Sequence, residues 1–247
     1  MRADDLPRLG VIANPMDANI FGQWIDLSGK KLLVLGMSED QVDSFIAPHG
    51  PESVTMFTYW AEHVDAHSTK YPLVMGDITQ PTQFDGDSFD AVLTLSLLEH
   101  VSDVAAALRE MARVARTEMV HFFGPAWSCA YGHHLYVDEG DPNLNFAKWQ
   151  MPAHMHMLCD EEEICDYYEG LGYGRDVGRM VFNQFHRNDF INRLFYDDYV
   201  AIMHRYQVVR WETMFNRLPT DHLSALQNLF SDCRDFSTYG GCYHLLT

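Results

Sequence analysis

The feature that most constrains the fold is the alternation of apolar runs and amphipathic stretches over residues 30–125. The apolar runs have the length and composition of buried strands, and they are KKLLVLG, SVTMFTYW, PLVMGDI, DAVLTL and EMVHFFGPAW. Between them, QVDSFIAPHG and DVAAALREMARVA have helical spacing, and Asp103 is the expected N-cap of the second helix. This order predicts an α/β fold with a doubly wound, mainly parallel sheet.

Residues 126–160 interrupt the alternation with a long insertion rich in histidine and aromatic residues. Loops of this length inside a compact domain usually bind or cover a ligand. A helix is expected to follow, with Asp160 as its N-cap, and then a strand in RDVGRMVFNQF.

Residues 188–233 have a helical pattern, and their last helix is expected to open at a Thr220 cap. The predicted organisation is therefore an α/β domain over residues 1–187 and a C-terminal helical extension over residues 188–247. This helical cover is a candidate lid or homodimer interface.

The charge balance excludes several classes of partner. The chain has 17 Lys plus Arg against 35 Asp plus Glu, a formal charge of -18, which repels nucleic-acid phosphates and anionic lipids. Its N-terminus has acids where a signal peptide has bases, and no run reaches the ~18 apolar residues of a membrane span. We expect a cytoplasmic protein with reduced cysteines and a small-molecule substrate, which binds neither nucleic acid nor membrane.

The stretch FDGDSFDAVLTLSLLEHVSDVAAALREMARVAR resembles the central signature of class I S-adenosylmethionine-dependent methyltransferases, of the type 11-like group. The matching residues are Phe89-Asp90, the phrase LEHV at residues 98–101, and residues 110–114. VLGMSED and VMGDI occur in the order and spacing of the same family. The resemblance covers residues 30–125 and implies a Rossmann-like methyltransferase fold.

The same resemblance implies where S-adenosylmethionine would bind, beyond the carboxyl ends of the strands. Its predicted contacts are Gly36, Ser38, Thr58, Asp77, Ile78 and Leu95. The chain departs from the family pattern in two places, because Ser38 and Asp40 replace glycines and Thr58 stands where an acid normally anchors the ribose. Glu39, Asp40 or Glu62 are candidates to replace that acid.

Three further segments, GPAWSCAYGHHLY, MPAHMHMLCDEEEICDYYEGLGY and FNQFHRNDFINRLF, together look like one branch of the superfamily. That branch carries a mononuclear iron or manganese, and it includes C-methyltransferase domains at the start of polyketide assembly lines. The resemblance implies His133 or His134, His156 and Gln184 as metal ligands, with His133, His134 and His156 as the catalytic residues.

Spacing within these segments supports a metal site independently. His154 and His156 are two residues apart, so an extended backbone would place both rings on one face, and Gln184 and His186 repeat this spacing. Neutral imidazoles with an oxygen donor suit Fe(II), Mn(II) or Zn(II), and the resemblance favours iron or manganese over zinc as the one divalent metal. A metal with open positions acidifies a C–H beside a carbonyl by Lewis-acid action.

Two enzymatic functions follow. The first is metal-assisted, S-adenosylmethionine-dependent methyl transfer to a small carboxylate or carbonyl substrate. The alternative is a methyltransferase fold that has lost the methyl donor and works as a metal-dependent lyase, oxygenase or hydrolase, which the altered glycine loop and Thr58 favour. A non-catalytic subunit that uses its C-terminus to bind another chain is a third hypothesis.

Overall fold

The structure is a computed structural model that describes residues 2–10, 16–17, 19–59, 70–187, 189–230 and 234–247. The strands are β1 Lys31–Leu35, β2 Ser53–Thr58, β3 Leu73–Met75, β4 Phe89–Leu95, β5 Ala115–Phe123, β6 Gln207–Phe215 and β7 Thr238–Leu246. The α-helices are α1 Ile20–Trp24, α2 Glu39–Phe45, α3 Val104–Val114, α4 Met155–Leu158, α5 Glu161–Gly170, α6 Arg175–His186, α7 Tyr196–Met203 and α8 Thr220–Leu229. Over the described ranges, none of the helices combines the length and apolar character needed to cross a membrane.

The strands form one seven-stranded sheet in the order β3-β2-β1-β4-β5-β7-β6. Each neighbouring pair from β3 to β5 is parallel, whereas β7 is antiparallel to β5. The predicted α/β, doubly wound class is confirmed, and so is the predicted order of elements from β1 to β5.

The sequence signals for helix starts are confirmed at two places. Asp103 caps α3 by accepting a hydrogen bond from the Ala106 N–H at 2.8 Å. Asp160 forms a capping box with Glu163 at the start of α5, where three consecutive acids favour the positive end of the helix dipole. Both helices therefore begin where local side-chain chemistry satisfies the backbone.

The strand predicted in RDVGRMVFNQF is wrong, because these residues form helix α6. Gly178, Val181 and Phe185 are its buried residues, and their spacing of three to four is that of one helical face. A short apolar run of this kind is compatible with either a strand or a helix. Packing of α6 against α5 favours the helix.

The helical prediction for residues 188–233 holds only in part. Gln207–Phe215 is strand β6, and Thr238–Leu246, within the predicted helical extension, is strand β7. Alternating Val209, Trp211 and Phe215 suit a pleated strand, and two added strands extend the sheet beyond β5. Thr220 is the first residue of α8 and makes no side-chain cap.

The chain divides into two compact units. The sheet unit comprises Met16–Gly124, Tyr199–Glu212 and Gly241–Thr247, and the histidine unit comprises Met1–Pro15, Pro125–Asp198 and Thr213–Gly240. Each has an apolar core. That of the sheet unit includes Leu32, Val34 and Leu93, and that of the histidine unit includes Tyr131, Met155 and Phe185.

The long insertion belongs to the core of the histidine unit and is not a loose surface loop. Tyr131, Leu135, Met151 and Met155 are at most 1% exposed. The four described cysteines are also buried and unpaired by disulfides, as predicted, and they are Cys129, Cys159, Cys165 and Cys242. The fifth, Cys233, lies outside the described residues.

Candidate functional site

The carboxyl ends of four parallel strands lie along one edge of the sheet unit. Leu35 pairs with both Phe57 and Thr94, so β1, β2 and β4 end at the same level, and Thr58 pairs with Met75 of β3. The predicted cofactor contacts all lie at the last residue of these strands or just after it, and they are Gly36, Ser38, Thr58, Asp77, Ile78 and Leu95. Ligands of open parallel sheets bind at this edge.

Gly36, the residue after β1, packs closely against the backbone at the end of β4. Its φ is 74°, and a Cβ there would lie 2.1 Å from the Leu95 carbonyl oxygen. A side chain would be excluded by both effects. Gly36 therefore keeps the open backbone approach that a nucleoside needs, although it is the one glycine left in this turn.

Ser38, which stands at the next glycine position of the family pattern, is the N-cap of helix α2. The Ser38 hydroxyl accepts a hydrogen bond from the Gln41 N–H at 3.3 Å, and the Ser38 N–H donates to Gln41 Oε1 at 2.8 Å. Glu39 accepts from the Lys70 N–H at 2.7 Å. Of the acids considered as replacements for the missing ribose anchor, Asp40 is exposed and Glu62 lies outside the described residues.

The Asp77 side chain is oriented by hydrogen bonds within its own turn. Its Oδ1 accepts hydrogen bonds from the Thr79 N–H at 2.9 Å and the Thr79 hydroxyl at 2.7 Å. The residue is exposed, whereas the adjacent Ile78 and the strand-end Leu95 are 5% and 4% exposed. A fixed acceptor beside apolar walls fits an adenine ring with an exocyclic amino group.

Sequence reasoning missed Glu99, which lies in the 3-10 turn Leu98–His100 after β4. Its Oε1 accepts from the Gly124 N–H at 3.3 Å, and its Oε2 is buried with no hydrogen-bond partner among the described residues. Burial raises the pKa of this carboxyl to about 8. The signal was present in the phrase LLEHV, where an acid stands in an apolar run.

The predicted metal ligands lie in the histidine unit, and a ring contact joins two of them. The ring centroids of His133 and His156 are 5.2 Å apart, and Phe185 of α6 contacts both rings at 4.5 and 6.1 Å. Burial lowers the pKa of both histidines well below its ordinary value. Both rings are therefore neutral, the state that ligates a metal.

His156 has the hydrogen bonding of a metal ligand. Its Nε2–H donates to the Trp127 carbonyl at 2.8 Å, which leaves the lone pair on Nδ1. That Nδ1 is buried and finds no hydrogen-bond partner within the described part of the chain. Ligating histidines commonly donate their second nitrogen to a backbone carbonyl in this way.

His133 and His134 have opposite tautomers. The Leu135 N–H donates to His133 Nδ1 at 3.0 Å, so the neutral ring of His133 carries its proton on Nε2. His134 Nδ1–H donates to the Gly132 carbonyl at 2.9 Å, which leaves its lone pair on Nε2. The geometry favours His134 over His133 as a ligand, and it makes His133 a hydrogen-bond donor.

His154 does not share a face with His156 in the way an extended segment would require. It takes a left-handed φ of 56° at the start of α4, so the local backbone is not extended. Its Nε2–H donates to the carbonyls of Ser128 and Phe236, and its Nδ1 accepts from His222 at 2.9 Å. Both nitrogens are used, and His154 is a structural residue.

Gln184 lies in helix α6 and not in a strand. Because residues 175–186 are helical, Gln184 and His186 do not project from one face, and the expected repeat of strand spacing is wrong. The Gln184 side chain is exposed and lines a surface groove with Met180, Asn183 and Arg187. Phe185 is the α6 residue that contacts His133 and His156.

A positive charge lies near the histidine cluster, which comprises His133, His134 and His156. The guanidinium of Arg193 lies 5.5 Å from the centroid of the Trp127 ring, whose edge packs on His156 at 4.4 Å. A cation on an aromatic face is stabilised by the ring quadrupole. In a chain with net charge -18, this arginine gives the cluster local attraction for an anion.

Comparison with known families agrees with the sheet topology. Residues 33–123 match a family model described as a methyltransferase domain. Over these residues the chain is similar to that family. The match includes Gly36, Asp77 and Leu95 but ends before the histidine cluster. No curated protein matches the chain significantly.

Solved structures show the same fold at low sequence identity. An S-adenosylmethionine-dependent methyltransferase from Mesorhizobium loti has a TM-score of 0.53 and 12% identity, over 94% of this chain and 98% of that one. The YcgJ protein from Bacillus subtilis has a TM-score of 0.50 and 12% identity, over 93% and 97% of the two chains. A protein from Bacillus halodurans has a TM-score of 0.50 and 13% identity, over 93% and 96%.

Proposed function

We propose that this protein transfers a methyl group from S-adenosylmethionine to a small carboxylate or carbonyl substrate, assisted by one divalent metal, iron or manganese. The similarity of residues 33–123 to a methyltransferase-domain model supports the methyl donor. The observation that carries the metal assistance is the ring of His156, which is oriented by a carbonyl on one nitrogen and buries an unused lone pair on the other.

The cofactor end is assigned to the edge of the sheet unit. Gly36, Asp77, Ile78 and Leu95 would hold S-adenosylmethionine, which supplies an electrophilic methyl group when bound. The Asp77 carboxylate would accept a hydrogen bond from the adenine amino group, since Thr79 fixes its orientation. Ile78 and Leu95 would exclude water from the nucleoside.

The metal is assigned to His134 Nε2 and His156 Nδ1, where it would supply Lewis acidity toward a substrate oxygen. His133 complements it, because its buried Nε2–H has no acceptor among the residues described and would donate to the same class of oxygen. Arg193 would attract a substrate carboxylate. Trp127 and Phe185, whose rings contact His156 and His133, would exclude water from the cluster.

Metal content of untagged protein tests the ligand assignment. We expect about one iron or manganese per chain, and His156→Ala should lose it while circular dichroism and S-adenosylmethionine binding by calorimetry stay unchanged. The matched control is His204→Ala, which removes an exposed histidine of the sheet unit. Equal metal content in both variants, or a metal-free wild type, would reject metal assistance.

A second function is favoured by one specific observation. The capping box uses both the hydroxyl and the N–H of Ser38, and Thr58 stands where the family has an acid, so two cofactor contacts are weakened together. This supports a metal-dependent lyase, oxygenase or hydrolase without the methyl donor. Bound metal together with no detectable S-adenosylmethionine binding at millimolar concentration would select it over methyl transfer.

A further inference from the structure

We propose that two copies of the chain associate by antiparallel pairing of their β6 strands, which joins the two sheets into one. In the sheet order, β6 comes last, beside β7. Among the described residues no strand covers its other side. The N–H and C=O groups on the outer side of an edge strand are a template for another strand.

One face of strand β6 exposes apolar side chains, which is unusual for an edge strand. Val209 is 52% exposed, Trp211 is 54% exposed and Phe215 is 36% exposed. Because they are two and four residues apart, they lie on one face of the strand, whereas Met214 on the other face is 2% exposed. The strand QVVRWETMF contains no proline or lysine, the residues that commonly protect a free edge from pairing.

The charges in β6 favour one pairing register, because it alone places opposite charges across the two strands. Antiparallel pairing centred on Trp211 puts Arg210 of each copy opposite Glu212 of the other, and Trp211 opposite Trp211. A shift of the centre to residue 210 would oppose two arginines, and a shift to residue 212 would oppose two glutamates. The Trp211-centred register therefore combines two opposite-charge pairs with an aromatic pair.

A second copy of this chain is also the partner that fits the local charge. The whole chain carries a formal charge of -18, which opposes self-association at most surfaces, but β6 contains one arginine and one glutamate and is neutral. Pairing two β6 strands brings no excess of like charge together within the strands. The neutral, apolar edge is where two such acidic chains can approach.

Sedimentation velocity of the full chain at micromolar concentration tests the proposal. The expected wild-type species has twice the 28.4 kDa mass of one chain. Arg210→Glu would oppose Glu212 with a glutamate and should raise the dimer dissociation constant by about tenfold or more. Adding Glu212→Arg to that variant restores opposite charges and should restore the dimer.

Two further variants separate this interface from others. Trp211→Lys should give a monomer, whereas Leu229→Lys, which changes a 57% exposed apolar residue of α8, should leave the dimer unchanged. Circular dichroism and thermal unfolding confirm that each variant is folded. A monomeric wild type, or a folded Trp211→Lys or Arg210→Glu variant that remains a dimer, would overturn the proposal.

Discussion

At the scale of single residues, Gly36 occupies a position where the backbone leaves no room for a side chain, at the sheet edge proposed to bind the cofactor. We expect Gly36→Ala to lower the free energy of unfolding by more than about 2 kcal/mol, since it adds a contact at 2.1 Å to the cost of a positive φ. S-adenosylmethionine binding should weaken with it. Urea denaturation and calorimetry measure the two effects.

Gly50→Ala is the matched control for Gly36→Ala. Gly50 has a similar φ of 68°, but a Cβ there meets nothing within 4 Å. It should cost only the ~1–2 kcal/mol of a left-handed residue with a side chain. An equal loss of stability in both variants would show that the approach of Leu95 to Gly36 is unimportant.

Glu99 makes a residue-scale prediction about pH. Its folded-state pKa, raised by burial from 4.5 to about 8, means that the folded chain holds a proton that the unfolded chain releases between these values. The stabilising effect of that proton is complete below about pH 4.5 and is lost as the pH rises toward 8. The free energy of unfolding should therefore fall relative to Glu99→Gln by up to ~1.4 kcal/mol per pH unit.

Urea denaturation of both proteins at pH 5.5, 6.5 and 7.5 measures this difference. Glu99→Gln keeps the shape and a carbonyl acceptor for the Gly124 N–H but cannot ionise. All other titrating groups are common to both proteins and cancel in the comparison. A difference in free energy that does not change with pH would mean that Glu99 does not hold a proton in the folded chain.

At the scale of elements, the packing of α5 on α6 positions Phe185 against the histidines. Gly178 of α6 permits this packing, because a Cβ there would lie 2.5 Å from the Cys165 Cα of α5. Gly178→Ala should lower the free energy of unfolding by about 1–3 kcal/mol, the usual cost of overpacking, and reduce metal content. Denaturation and elemental analysis measure the two outcomes.

The control is Gly170→Ala, at the last residue of α5, where a Cβ meets nothing within 4 Å. Alanine is the better helix former, so this variant should be neutral or slightly more stable. If Gly178→Ala behaved in the same way, the two helices would be able to separate without loss of stability.

At the scale of the whole molecule, the formal charge of -18 dominates. Self-repulsion of a compact acidic chain weakens as salt screens it, and the Debye length falls from about 30 Å at 0.01 M to about 8 Å at 0.15 M. The thermal unfolding midpoint should therefore rise over this range, by about 2–4 °C for each 1 kcal/mol gained.

Calorimetric scans in NaCl and KCl at equal ionic strength test this prediction. Screening depends on ionic strength, so the two salts should give the same rise in midpoint. A midpoint that falls with salt would show that favourable ion pairs, such as Arg113 with Glu110, outweigh the repulsion.

Local pattern was sufficient for the first half of the fold. Apolar runs and caps such as Asp103 predicted β1 to β5 and their parallel order. The periodicity of a strand or a helix is visible in neighbouring residues, and few topologies can connect successive parallel strands. Parallel order in turn placed Gly36, Asp77 and Leu95 at one edge. The C-terminal strands were missed, since a short apolar run such as VVRW becomes a strand only when a sheet is available to pair with it.

The sequence by itself therefore determined the class of fold and the sheet edge at which Gly36, Asp77 and Leu95 lie, and it supplied the residue types of the proposed metal site. Only the tertiary structure decided which histidine nitrogens keep a lone pair. His156 depends on a carbonyl 29 positions away in the chain and His154 on a histidine 68 positions away, whereas Gln184 is turned outward by its helix. Protonation and orientation are set by such distant partners, and a linear pattern of residue types does not contain them.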